Sequence, residues 1–151
     1  MQREVIKKDF DSKVVEIKRV TRVVAGGKRM RFRALVVVGD RNGRVGVAVK
    51  KGTDVAEAVG KATAHARKNL IEIAIAGGTI PYAVKLKYKA AQVFLKPAAP
   101  GSGIMAGGPV RAVVTLAGIK NISSKMLGSA NKISNVRATY EALKSLKKLA
   151  K

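Results

Sequence analysis

Arg19-Val20-Thr21-Arg22-Val23-Val24-Ala25-Gly26-Gly27-Lys28-Arg29-Met30-Arg31-Phe32-Arg33-Ala34-Leu35-Val36-Val37-Val38-Gly39-Asp40-Arg41-Asn42-Gly43-Arg44-Val45-Gly46-Val47-Ala48-Val49 is the stretch that decides the fold. Three β-rich runs meet at Gly26-Gly27 and at Asp40 to Gly43, which predicts a three-stranded antiparallel meander with two glycine-containing turns. Side chains alternate along a strand, so Met30, Phe32, Ala34, Val36 and Val38 share one face of the middle strand and are expected to build a core. Arg29, Arg31 and Arg33 fall on the other face. Arg19, Arg22 and Lys28 crowd the same hairpin end, with only Glu16 near them in sequence. Charge at a hairpin tip can serve solubility alone. Like charge this concentrated costs self-repulsion, which a polyanion relieves, so the pattern points to a phosphate-binding tip. Lys50 and Lys51, which follow the third strand, are assigned to the same surface.

The formal net charge of the 151 residues is +22. Residues 1–76 hold 18 Lys/Arg against 8 Asp/Glu, and residues 77–151 hold 13 against one, Glu141, so both halves are expected to face one anionic partner. Nucleic acid fits better than an acidic membrane surface, because no lysine-rich amphipathic helix also carries bulky aromatic anchors. At 47% hydrophobic residues the chain can build a real core and is no disordered basic tail. No cysteine is present, which excludes a disulfide framework and thiolate chemistry, and His65 is the only histidine. No uncharged run reaches the ~20 apolar residues of a membrane span, and the start resembles neither a signal nor a transit peptide. A soluble protein of a reducing compartment, the cytoplasm, is expected.

Residues 1–12 read as a mobile arm anchored by Phe10. The first strand starts at Lys13, and a bulge near Lys18-Arg19 would reconcile Val15 and Ile17 with Val20. After the third strand, Asp54 and Glu57 form a capping box. The helix they open is expected to reach about Ile73 and to turn Val55, Val59, Ala62, Ala66 and Leu70 to the meander. Lys61, His65 and Lys68 make a stripe on its other side, either a solvated face or an RNA contact. The resulting β-β-β-α unit, residues 13–76, resembles double-stranded-RNA-binding domains, which dock on RNA by shape and backbone contacts. Gly77-Gly78-Thr79-Ile80-Pro81 is the expected boundary to a second domain, residues 77–151. That domain shows strands at Ala83 to Lys89 and Gln92 to Lys96, a Gly/Pro-rich loop at Pro97 to Pro109, and a short helix from Pro109 closed by Gly118. A strand at Asn121 to Leu127 and a helix at Asn135 to Leu149 follow. The last helix is apolar along Val136, Tyr140, Leu143 and Leu146, and basic along Arg137, Lys144, Lys148 and Lys151.

Gly101-Ser102-Gly103-Ile104-Met105-Ala106 fits a dinucleotide-binding glycine pattern, but prolines separate it from the preceding strand and no ribose-binding acid follows. The second half offers one carboxylate and no histidine or cysteine, so acid–base, triad and metal-water mechanisms lack their parts. Neither catalysis nor a cofactor or metal is expected. With six Phe/Tyr and no Trp, backbone recognition is favoured over single-strand stacking platforms.

Gly27-Lys28, Phe32, Ala34, Val37-Val38-Gly39-Asp40, Gly43, Val45-Gly46, Ala48, Asp54-Val55 and Ala58-Val59 are similar, in order, to the signature of the fifth protein of the bacterial-type small ribosomal subunit, ribosomal protein S-five. Gly77 to Pro81, Lys96 to Gly101, Ala106 to Val113 and Arg137 to Thr139 also resemble that family. The resemblance implies an α+β chain, with a double-stranded-RNA-binding-like domain followed by an α/β domain holding a left-handed β-α-β crossover, against the usual right-handed rule. It implies small-subunit rRNA as ligand and the fourth and eighth small-subunit proteins as neighbours. It also implies roles in assembly, in decoding accuracy and at the channel where messenger RNA enters, beside the third and fourth proteins. The hairpin matching Val20 to Lys28, with Gly26 and Gly27, implies the rRNA contact, and Gly103 and Arg111 the face against the fourth protein. Ala25, Tyr82 and Asn131 to Asn135 depart from the family pattern. A free architectural protein of double-stranded nucleic acid is the alternative that composition allows, and an enzyme acting on a nucleotide is a third.

Overall fold

The computed structural model describes residues 10–146. Strands β1 (Asp11–Val24), β2 (Gly27–Gly39) and β3 (Arg44–Gly52) form the expected meander. Helix α1 (Val55–Lys68) follows, and then a short strand β4 (Ile71–Glu72). The second half contains β5 (Val84–Tyr88), β6 (Ala91–Pro97), β7 (Ile104–Met105), α2 (Gly108–Ala117), β8 (Ile122–Gly128) and α3 (Lys132–Ser145). One sheet is antiparallel in the order β1-β2-β3-β4; the other runs β5-β6-β8-β7, with β7 and β8 parallel around α2. The chain is thus α+β, with a β-α-β unit in its second half.

Several expectations need correction. Phe10 is an anchor as expected, held beneath Arg44 at 5.1 Å from its ring, but the arm does not reach Ser12, because Asp11 and Ser12 already belong to β1. The rest of the expected arm lies outside the described residues. The bulge falls at Val15, where the register slips between Val14 and Glu16, not at Lys18-Arg19. Val15 and Glu16 consequently point to the same side, and Ile17 turns to the opposite one, 41% exposed. Helix α1 stops at Lys68, because the chain then bends to pair Ile71 with Val45 as β4. The meander is therefore a four-stranded sheet. The loop expected at Pro97 to Pro109 contains β7. The last helix starts at Lys132, three residues early, because Asn131 caps it by accepting from Ile133 N at 3.0 Å. Asn135 further braces this turn by donating to the carbonyls of Ser129 and Asn131. Lys148, Leu149 and Lys151 lie outside the described residues.

Helix α1 buries Ala58, Ala62 and Ala66, while Val55 remains 39% exposed. The reason is close approach. A Cβ on Gly46 would stand 2.2 Å from the Ala66 carbonyl oxygen, and one on Gly52 would stand 2.6 Å from Ala58 N. Only alanine fits beneath a helix this near its sheet, so the valines are displaced to the rim. Asp54 accepts from Glu57 N at 2.7 Å, as the capping box requires. Glu57 reaches past the cap to Thr53 N at 3.0 Å and bonds the Thr53 hydroxyl as well. Lys61 Nζ stands 2.8 Å from its other oxygen. The hydrogen bonds from Lys61 and then Thr53 hold the Glu57 carboxyl at about 2, well below its ordinary value. Because the folded value is depressed, the support this carboxylate gives is present above its unfolded value and is lost as pH falls toward about 2. NMR titration should place the Glu57 midpoint there, and Lys61→Ala should raise it; an ordinary carboxylate midpoint in the parent protein would contradict the contact.

Both faces of β2 are buried beyond Arg33. Ala34, Val36 and Val38 pack under α1 with Ala48, as expected, but Met30 runs past the helix and is 55% exposed. Leu35 and Val37, with Val45 and Val47 of β3, join the main core against Val113, Leu116 and Leu143. The layers run α1, first sheet, α2 with α3, second sheet. Burying four such side chains stabilises the fold by roughly 1.5–3 kcal/mol each, a sum comparable to the whole stability of a domain. The first sheet thus depends on the second half for one of its two cores. Loop backbone strengthens the union, since Arg41 N and Gly43 N donate to the last carbonyls of α2, Leu116 and Ala117, both at 2.9 Å. These are acceptors that a helix end leaves without partners of its own. Tyr140 Oη donates to the Asn69 carbonyl at 2.9 Å, tying α3 to the end of α1.

Candidate nucleic-acid interface

Directly opposed residues of an antiparallel pair share a face, so register decides which cations meet. Arg22 lies opposite Arg29, Val20 opposite Arg31, and Lys18 opposite Arg33, which in turn lies opposite Lys51. Lys18, Arg22, Arg29, Arg31, Arg33 and Lys51 therefore stand on one face of the hairpin, the face that continues into Leu35 and Val37. Val20, Arg22, Val24, Arg29, Arg31 and Lys51 line an open cleft of about 420 Å³ there. Arg19, Lys28 and Lys50 share the hairpin end but point to the other face, opposite or beside Phe32, Val23 and Ala34. The nine cations are thus two sets rather than one.

Like charges placed directly opposite destabilise a sheet. Only Lys18 finds a carboxylate on this face, Glu16, at 3.2 Å. Among the described residues, Arg22, Arg29, Arg31, Arg33 and Lys51 make no salt bridge, whereas the chain's other ion pairs join Arg41 to Asp11, Arg44 to Asp40 and Lys61 to Glu57. Apart from Glu16, the acids in these pairs are deployed elsewhere. Asp40 shows this: burial raises its carboxyl, but hydrogen bonds from Arg44 and the loop backbone outweigh burial and leave it lowered. Gly26 shares the two-residue turn between the strands with Ala25, and Gly27, the first residue of β2, takes a φ of +138°. Ala25 is exposed beside them, and Tyr82 packs half-buried against the main core.

Helix α1 holds Lys61, His65 and Lys68 on its exposed side, but Lys61 is engaged by Glu57. Gly103 and Arg111 come together at β7, where Arg111 Nη2 donates to the Ile104 carbonyl at 3.1 Å. Arg111 thus has a partner within the chain, although its side chain remains exposed. The glycine pattern is a turn whose amides are already used, since Gly101 N and Gly103 N both donate to Asn121 Oδ1, at 3.1 and 3.0 Å. Lys18 is the cation that sequence reading omitted; only the position of the bulge brings it level with Arg33. Among the described residues, no group of three or more His, Cys, Asp or Glu side chains could hold a metal, and no helix is long and apolar enough to cross a membrane.

A two-sheet α+β fold that, among the described residues, leaves rows of unneutralised arginine uncovered has the build of an RNA-binding protein. Residues 10–74 match the family described as Ribosomal protein S5, N-terminal domain, and residues 86–151 match Ribosomal protein S5, C-terminal domain. The two matches span most of the chain, which belongs to the ribosomal protein S5 family. It is a ribosomal protein of the small subunit, in a family that is structural rather than enzymatic. Membership implies ribosomal RNA and other ribosomal proteins as partners.

Proposed function

We propose that the chain grips small-subunit rRNA with the face of the β1–β2 hairpin that carries Lys18, Arg22, Arg29, Arg31, Arg33 and Lys51. The observation that carries this reading is the cross-strand opposition of cations of which only Lys18 has a carboxylate partner, a cost to the free protein that phosphates offset. Arg19, Lys28 and Lys50 serve the same strand of RNA from the other side of the tip, and Lys68 adds a weaker contact from α1. Affinity for rRNA fragments should fall steeply with salt, with a log–log slope on the order of −5 if about six phosphates are neutralised. A nearly flat dependence would exclude phosphate-dominated binding. Co-sedimentation with small subunits, surviving moderate salt but not ribonuclease, separates this reading from a free architectural protein.

By family resemblance, the chain supports subunit assembly and decoding accuracy in the cytoplasm. Its neighbours are the fourth and eighth small-subunit proteins, and with the third and fourth it borders the channel where messenger RNA enters. Gly103 and Arg111 face the fourth protein. Arg111 sits in the first turn of α2, where the helix dipole opposes a cation by ~0.3–1 kcal/mol, and its bond to Ile104 leaves donors for a second partner. An exposed ion pair there is worth roughly 1 kcal/mol or less, which suits a contact that opens during decoding. Arg111→Leu should leave assembly largely normal and raise misreading and stop-codon readthrough. Wild-type error rates in reporter strains whose ribosomes all carry the variant would return Arg111 to its role of holding β7.

A further inference from the structure

Among the described residues, the second sheet is helix-covered on one face only. Ala91, Val93 and Leu95 of β6 point into the core beneath α2 and α3, so Gln92, Phe94 and Lys96 point away from it. Register places Lys85 of β5 and Lys125 of β8 directly opposite Phe94, one on each side. Phe94 is half-buried yet belongs to neither core cluster. Lys87 and Leu127 flank Gln92 in the same way, and Leu127 is 39% exposed. Met105 continues this face at the far edge, 57% exposed. Lysine on the edge strand β5 would discourage strand addition. That does not account for Lys125 on the interior strand β8, or for an aromatic ring set between two amines. No carboxylate stands on this face among the described residues; the one acid of the second half, Glu141, is on α3.

We propose that this open face is a stacking platform for an unpaired segment of ribosomal RNA, with a base lying on Phe94 and the flanking phosphates held by Lys85 and Lys125. An aromatic ring on a helix-free sheet accepts the face of any base, and lysines on either side track the backbone. Gln92 and Lys96 lie along the same strand to meet a neighbouring base edge and phosphate. A duplex cannot use such a ring, because its bases are already stacked, so this face and the arginine-rich hairpin read different forms of RNA. The proposal rests on the reading of the chain as an rRNA binder but uses none of the hairpin residues.

The test measures binding of the full chain to two labelled probes, an unpaired six-nucleotide RNA and a sixteen-base-pair RNA duplex. Phe94→Leu should weaken the unpaired probe roughly five- to 100-fold and leave the duplex unchanged. Phe94→Tyr, which keeps the ring, should preserve binding of both, and Lys85→Ala with Lys125→Ala should weaken the unpaired probe and flatten its salt dependence. Unpaired binding by Phe94→Leu at the parent affinity overturns the platform and leaves the hairpin reading intact. Duplex binding unaffected by loss of Arg29, Arg31 and Arg33 overturns the hairpin reading instead. In assembled subunits, a benzophenone side chain placed at position 94 should cross-link to rRNA. Cross-links confined to a neighbouring protein or to messenger RNA would overturn the assignment.

Discussion

Replacing Arg29, Arg31 and Arg33 together by alanine is expected to lower affinity for rRNA fragments on the order of 100-fold near 0.15 M monovalent salt, because each lost phosphate contact removes about 0.7–0.9 from the salt slope. The slope itself should become shallower by about two to three. The fold should survive. Arg29 and Arg31 are exposed, Arg33 is only half-buried, and two of the three relinquish unfavourable neighbours: Arg29 loses its opposition to Arg22, and Arg33 its place between Lys18 and Lys51, while Arg31 stands opposite Val20. The urea midpoint should therefore hold or rise slightly. A variant that unfolds would show the guanidinium stems to be packing groups. One that binds with unchanged affinity and slope would move the RNA contact off this face.

Gly39→Ala should destabilise the protein by about 1–3 kcal/mol or more, measured as a lower urea midpoint at unchanged slope. Its added Cβ would stand 2.2 Å from the Leu116 carbonyl oxygen and 2.7 Å from the carbonyl carbon. Neither can swing aside, since the Arg41 amide already holds that oxygen at 2.9 Å. Relief requires α2 to move away from the end of β2, which opens the core shared by Leu35, Val37, Val113 and Leu116. Gly26→Ala is the control. Nothing lies within 4 Å of its Cβ, so its stability should remain within about 0.5 kcal/mol. Equal midpoints for the two variants would mean that the halves meet more loosely than this geometry requires.

How much of this was legible in the chain varies by element. The meander was readable because Gly26-Gly27 and Asp40 to Gly43 punctuate β-branched runs; the second turn is where those residues put it, and the first, Ala25-Gly26, falls one residue earlier. The start of α1 was readable from Asp54 and Glu57, since a cap is a local hydrogen bond between residues three apart. Pro109 and Gly118 bracketed α2 for the same reason, Gly118 adopting a φ of +92°. The end of α1 was not readable: Leu70 and Ile71 continue an apolar pattern that suits a helix, and only pairing with β3 makes Ile71 a strand residue. Short strands such as β7 exist because a neighbour is present, so no propensity announces them.

The candidate site divides along the same line. Composition and the arginine row were enough to mark the hairpin as basic, because charge and period-two alternation are properties of the chain itself. Which cations stand together was decided by a register that runs unbroken from the turn to Glu16, because the bulge falls beyond it at Val15: Lys18 meets Arg33, while Arg19 and Lys28 stand on the opposite face. A bulge reflects how a strand meets its partner, and either Val15 or Arg19 satisfies the local pattern. The lysines around Phe94 were visible only as alternation in separate runs, and pairing of β6 with β5 and β8 sets them on either side of the ring. The sequence by itself determined the strands, the caps and the basic character. The tertiary structure decided register and the two-sided burial of β2, since both depend on contacts between residues far apart in the chain whose energies no local window contains.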